Sequence, residues 1–98
     1  MIGDEVEAEI QAKKLTAARV TPAMIDATIV GEDYFRATGT LTICVLTLRN
    51  GFTVTGESAC ASPENFNQQL GEKIARAAAR DKIWALEGYA LRERLAAK

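Results

Sequence analysis

Polar and β-branched residues alternate along TGTLTICVLTLRNGFTVTGESAC, residues 38 to 60, and the pattern predicts two strands joined at Asn50-Gly51. Asn-Gly between such runs is the strongest short-range hairpin signal, because both central residues of a type I′ turn need φ > 0. With a two-residue loop, Arg49 faces Phe52. One face then carries Leu41, Ile43, Val45, Thr47 and Arg49 with Phe52, Val54, Gly56, Ser58 and Cys60. Strict alternation makes this the expected core face. The other face carries Thr40, Thr42, Cys44, Leu46 and Leu48 with Thr53, Thr55, Glu57 and Ala59. Leu46 and Leu48 leave that second face partly apolar, so it calls for a partner element or another subunit. The same register puts Cys44 and Cys60 on opposite faces, which argues against a bridge between them.

The flanks read as helix. Residues 4 to 15 have helix-forming composition and a thin apolar stripe of Val6, Ile10 and Leu15. Acidic residues at their start and Lys13-Lys14 at their end suit the helix dipole. With so little to bury, residues 1–17 read as a helical arm, either mobile or an oligomer contact. Thr21-Pro22 is a helix start, threonine capping and proline opening the first turn. Met24, Ile25, Ile29 and Val30 form its apolar side and Gly31 is the expected stop. Residues 32 to 37 then connect to the hairpin, with Tyr34 and Phe35 as packing residues.

Ser62-Pro63-Glu64 is a second start of the same kind. Beyond it, Leu70, Ile74, Ala77, Asp81, Trp84, Gly88, Leu91 and Leu95 recur at spacings of four and three, a heptad-like seam. Gly88 is a possible break. The expectation is one long bent helix, or two helices over 63 to 86 and 89 to 96. The fold class is therefore α+β: N-terminal helices, an antiparallel hairpin or sheet, and a long C-terminal helix or two consecutive ones, in a single domain over residues 1–98.

Composition narrows the function classes. The 12 basic residues are balanced by 13 acidic ones, which weighs against nucleic acid as a partner. No apolar run reaches the about 20 residues of a membrane span. The acidic start is unlike a signal peptide, so a cytoplasmic, reducing setting is expected. Histidine is absent, which removes the commonest general base and metal ligand. Two cysteines cannot fill a structural zinc site within one chain, and both read as buried free thiols. With no phosphate loop, nucleophile elbow or clustered carboxylates, the chain is expected to be neither an enzyme nor a holder of metal or cofactor.

Anion binding has more candidates. Arg76 and Arg80 are four apart and share a helix face, with Lys73 one turn earlier. Two guanidiniums on one rigid face grip a phosphate in fork geometry. The alternative is a solvated face paired with Glu72 and Asp81. Arg49 opposite Phe52 either stacks a base or closes the hairpin end. Asn50 and Asn65 read first as turn and capping residues, and Asn65 is retained as a candidate contact.

Three segments carry a resemblance: ARVTPAMID, LTLRNGFTVTGESACASPENF and KIARAAARDKIWALEGYALRERL. From Ala18 to Leu95 the chain resembles a family of small tailed-phage and prophage proteins. It departs from the family pattern at Ala77 and Ala78, where polar residues are expected, and at Ala85, where proline is expected. The family is similar in turn to the phage sponge proteins that counter Thoeris immunity. That similarity implies a homo-oligomer, a dimer or an assembly of dimers, that sequesters a cyclic nucleotide signal without cleaving it. The signal would be a cyclised ADP-ribose isomer or a cyclic oligonucleotide. It gives the Arg76 and Arg80 pair a purpose as phosphate grip and Phe52 one as base platform, with Lys73 and Arg49 as the neighbouring candidate contacts. The rival expectations are an inhibitor that binds a host protein complex and a nucleic-acid accessory protein.

Overall fold

The computed structural model describes residues 2–13 and 17–98. Helix α1 (Ile2–Ala12) and helix α2 (Pro22–Thr28) precede a three-stranded antiparallel sheet of β1 (Ile29–Arg36), β2 (Leu41–Leu48) and β3 (Thr53–Ala59). A one-turn 3-10 helix (Pro63–Asn65) leads into the long helix α3 (Gln68–Ala96). The strands lie in the order β1-β2-β3, and α3 crosses one face of the sheet. The fold is α+β.

The hairpin departs from the sequence expectation by one residue. Gly51 N–H donates to Leu48 O at 2.8 Å, and Leu48 N–H donates to Phe52 O at 2.8 Å. The loop is therefore Arg49, Asn50 and Gly51, with Gly51 at φ 89°. That is the three-residue hairpin in which a turn is followed by a left-handed glycine. The Asn50 side chain accepts from Phe52 N–H at 3.0 Å and holds the turn. Thr47 then pairs with Thr53, Cys44 with Gly56 and Thr42 with Ser58.

A slip of one turns every β2 side chain over relative to β3. The buried face is Thr42, Cys44, Leu46 and Leu48 with Val54 and Gly56. The expected core face was right for Val54 and Gly56 and wrong for Leu41, Ile43, Val45 and Thr47, which are only half-buried. Leu46 and Leu48 need no other subunit, because α3 of the same chain covers them. The corrected register puts Cys60 on the same side as Cys44, beyond the end of β3. Both remain free thiols: Cys44 is fully buried and Cys60 only half-buried.

Residues 29–36 were expected to end a helix and connect; they form a strand. Helix α2 stops at Thr28, and β1 runs antiparallel to β2 with an irregularity between Ile29 and Gly31. Val30 is exposed there rather than on a helix face, and Phe35 lies in the open while Tyr34 packs on the core. Burial and the neighbouring Glu32 carboxylate push the Tyr34 phenol above its ordinary range.

The seam of α3 is also displaced. The buried positions are Ala75, Ala79, Arg80 and Ile83. The heptad-like row had named their neighbours, and of those Leu70 and Ile74 are exposed. Small residues recur every fourth position because the helix backbone rests directly on β3. A Cβ at Gly56 would stand 2.1 Å from Ala75 O and 2.3 Å from Ala79 N. The cap is Asn67, whose side chain accepts from Leu70 N–H at 2.9 Å, and not Ser62, which opens only the 3-10 turn. The helix runs through Gly88 without a break. With Ala85 in place of a proline, each backbone donor there is kept.

Helix α1 lies against Trp84 through Gly3, where a Cβ would come within 2.7 Å of the indole. Arg19 donates to Glu7 at 2.6 Å and 3.0 Å and ties the following segment back to α1. Lys14 and Leu15 lie outside the described residues, so the arm's apolar stripe is seen only at Val6 and Ile10.

Arg80 is the one charged residue buried among the described core positions, 4% exposed. Its Nε donates to Asp26 Oδ1 at 2.8 Å and its Nη2 to Asp26 Oδ2 at 3.3 Å, joining α2 to α3. Asp4 of α1 lies 3.7 Å away. The hydrogen bonds from Arg80 hold the Asp26 carboxyl below its ordinary 3.8. A carboxyl held down in the folded state stabilises at pH values above its unfolded pKa, and that contribution is lost as pH falls through the folded value. Because Asp26 is half exposed, screening keeps the effect to about 1 kcal/mol or less. Urea titrations from pH 5 to pH 2 should show this acid-dependent loss in the wild type and its absence in Arg80→Met. Equal pH slopes in the two proteins would overturn the assignment.

Candidate functional site

Two clefts bring candidate residues together, one at each end of α3. The first lies at the hairpin tip. Leu86, Glu87, Ala90 and Arg94 of α3 share one side of the helix and face Leu48, Arg49, Asn50 and Phe52 of the hairpin across a cleft of about 410 Å³. The tip is held in place by its backbone: Arg49 N–H donates to Thr28 O at 2.9 Å, tying the loop to the end of α2. Thr28 is itself buried, its hydroxyl donating to Met24 O at 3.0 Å.

Phe52 is 56% exposed here, a large apolar ring open to solvent at the mouth. Arg49 Nη2 stands 4.0 Å from Glu87 Oε2, and the Glu87 side chain is only 13% exposed. Two guanidiniums, Arg49 and Arg94, therefore share the cleft with a single carboxylate. The local balance is positive although the chain as a whole carries a net charge of -1. An aromatic face, two fork-shaped donors and one acceptor are the parts with which proteins hold a base, a phosphate and a ribose hydroxyl.

Of the residues singled out in the sequence, this cleft unites Arg49 and Phe52. They adjoin at the tip without being cross-strand partners, because the loop is one residue longer than expected. Arg76 and Arg80 lie elsewhere, on the side of α3 that faces β1 and α2. Arg76 Nε donates to Glu32 Oε2 at 3.1 Å, and Arg80 is engaged by Asp26 and Asp4. The hydrogen bonds go to Glu32 and Asp26 and not to Glu72 or Asp81, the two considered in the sequence, although the Asp81 charge also acts on Arg80. Lys73 is exposed one turn before Arg76. Asn65 lines the second cleft, at the other end of α3.

Arg94 and Glu87 escaped the sequence reading. Their spacing of seven, with Ala90 between, puts them on one helix side. That signal was masked by the neighbouring row Gly88, Leu91 and Leu95. No group of three His, Cys, Asp or Glu able to hold a metal occurs among the described residues, and none of their helices is long and apolar enough to cross a membrane.

Comparison with known families settles the wider relationship. Residues 20–95 match the model of the phage protein (N4 Gp49/phage Sf6 gene 66) family. The chain belongs to this family. The match takes in α2, the whole sheet, both clefts and nearly all of α3, leaving α1 outside. No curated protein and no solved structure matches the chain.

Proposed function

We infer that this phage-family protein binds and sequesters a nucleotide-class signal, a cyclised ADP-ribose isomer or a cyclic oligonucleotide, and thereby blunts a host immune response. The observation that carries the reading is the hairpin-tip cleft, which exposed Phe52 lines together with Arg49 and Arg94. In this reading Phe52 stacks a base, the two guanidiniums take phosphate oxygens, and Glu87 accepts from a sugar hydroxyl. Arg80 is then a bracing residue, its Nε and Nη2 both on Asp26, while Arg76 gives its Nε to Glu32, outside this cleft. A sponge needs affinity and no reacting group, and the cleft offers no nucleophile paired with a base. The setting is the cytoplasm of the infected or lysogenic host.

Isothermal titration of the full chain with cyclic ADP-ribose isomers and with cyclic di- and trinucleotides tests this. Binding is expected to at least one of them. Arg49→Ala and Phe52→Ala should each weaken it by roughly tenfold or more, since a stacked base or a charge-assisted hydrogen bond contributes about 1–3 kcal/mol. A folded protein that binds none of these ligands would remove the reading.

One observation favours the rival, an inhibitor that docks on a host protein. The sheet face opposite α3 presents Phe35, Ile43 and Val45 in adjacent cross-strand positions, and no described element covers it. The same surface would serve a homo-oligomer. Native mass spectrometry of protein from a host with active defence separates these outcomes by subunit count and bound mass.

A further inference from the structure

We propose that the open face of the sheet, turned away from α3, docks an amphipathic helix of a partner protein whose apolar stripe is edged by Lys or Arg on both sides. Docking here extends the protein-binding reading of this face. It is independent of the hairpin-tip cleft, which lies on the α3 side of the sheet.

The signal starts in β2. A sheet covered on one side only shows strands that alternate apolar and polar residues. In β2 the side toward α3 buries Cys44, Leu46 and Leu48, yet the side turned away carries Leu41, Ile43 and Val45. Such a strand reads as one covered on both sides. Among the described elements only the α3 side is covered. The apolar row continues into β1, where Phe35 pairs with Ile43 and is 55% exposed.

Charge says what fits on this row. The face is made of the odd-numbered residues 31–35, 41–47 and 53–59. Asp33 and Glu57 are its charged members, and none of the others is Lys or Arg. Asp33 pairs with Val45 from β1 and Glu57 pairs with Ile43 from β3, so a carboxylate stands on each flank of the row. Both are exposed, and neither forms an ion pair among the described residues, whereas Glu32 on the other face is taken by Arg76. A second copy stacked face to face would set these carboxylates against their own kind with no cation between them. Like charges brought together oppose association, and opposite ones favour it.

The dimensions suit one helix. The outer strands stand about 10 Å apart across β2, close to the width of a helix with its side chains. The seven residues from Leu41 to Thr47 run about 20 Å, the length of about 13 helical residues. A helix laid along β2 would rest its apolar stripe on Leu41, Ile43 and Val45 and bring its two edges over Asp33 and Glu57. It would add a third layer to the sheet, as α3 supplies the second.

The probe is a dye-labelled helical peptide of about 14 residues, with a leucine stripe flanked by lysines, titrated into the full chain by fluorescence anisotropy. The same pattern with glutamates is the control. Saturable one-to-one binding of the lysine peptide is expected, with the glutamate peptide weaker by roughly tenfold or more. Amide proton–nitrogen correlation spectra should place its shifts at Asp33, Phe35, Ile43, Val45 and Glu57. Phe35→Ser, and separately Asp33→Asn combined with Glu57→Gln, should each weaken binding by roughly tenfold. Arg49→Ala should leave it unchanged. No binding, equal binding of the two peptides, shifts confined to α1 or α3, or a folded double variant that binds like the wild type would each overturn the proposal. So would sedimentation of a wild-type dimer that Phe35→Ser makes monomeric, because the face would then belong to a second copy. Cyclic nucleotide titration reads the other side of the sheet, so the two readings fail separately.

Discussion

Gly56→Ala is expected to destabilise the protein by about 3 kcal/mol, the upper end of what overpacking usually costs. The added methyl would meet Ala75 O at 2.1 Å and Ala79 N at 2.3 Å. Both are backbone atoms of α3, so no side chain can swing aside to make room. Either the helix lifts from the sheet or the strand bends away, and each opens the contact of Ala75, Ala79 and Ile83 with Cys44, Leu46 and Val54. Against a total stability of about 5–15 kcal/mol, that is a large fraction. Urea unfolding followed by circular dichroism measures it. A midpoint within error of the wild type would mean that α3 does not sit on β3 at this point.

Leu46→Ala should cost about 2–5 kcal/mol, whereas its neighbour Val45→Ala should cost about 1 kcal/mol or less. Leu46 is fully buried between the sheet and α3, so truncation leaves a cavity that rigid neighbours cannot fill. Val45 points to the uncovered face and loses mainly strand preference. The pair separates the two hairpin registers by sign. A two-residue loop makes Val45 the core residue, and the observed three-residue loop makes it Leu46. Denaturation of the two variants side by side would show the reverse order if the loop assignment were wrong.

The family relationship places this chain among phage proteins. The two clefts lie at opposite ends of α3. The middle of the same helix is closed by Gly56 and the small residues above it. Ligand-sized gaps thus arise where α3 carries longer side chains, such as Leu86, Glu87 and Arg94 at one end and Leu70 and Ile74 at the other.

Much of the chain was legible from local rules. Thr21-Pro22 starts a helix as read, with the Thr21 hydroxyl accepting from Met24 N–H at 3.2 Å, because a cap is settled within one turn. The existence of the hairpin and the helical C-terminal third followed in the same way from turn chemistry and composition. Strand β1 was missed because Gly31, Glu32 and Asp33 dilute its pattern, and an edge strand needs to bury only one residue in two. The Arg76 and Arg80 pair was read correctly as sharing a helix side. Its partners were not, because Asp26 and Glu32 lie far away in sequence.

The sequence by itself determined the α+β class, the Thr21 cap and the position of the turn, all of which depend on residues within a few positions of each other. Only the tertiary structure decided the face of the sheet that is buried and the side of α3 that covers it. The number of loop residues is set by how the hairpin docks: Arg49 N–H must reach Thr28 O, and Gly56 must lie under Ala75 and Ala79. One residue of slip costs little in the isolated hairpin and exchanges the whole β2 face once the helix is in place. The two clefts follow from the same choice, since the true register is what buries Thr42 at one end of the sheet and sets Arg49 near Phe52 at the other.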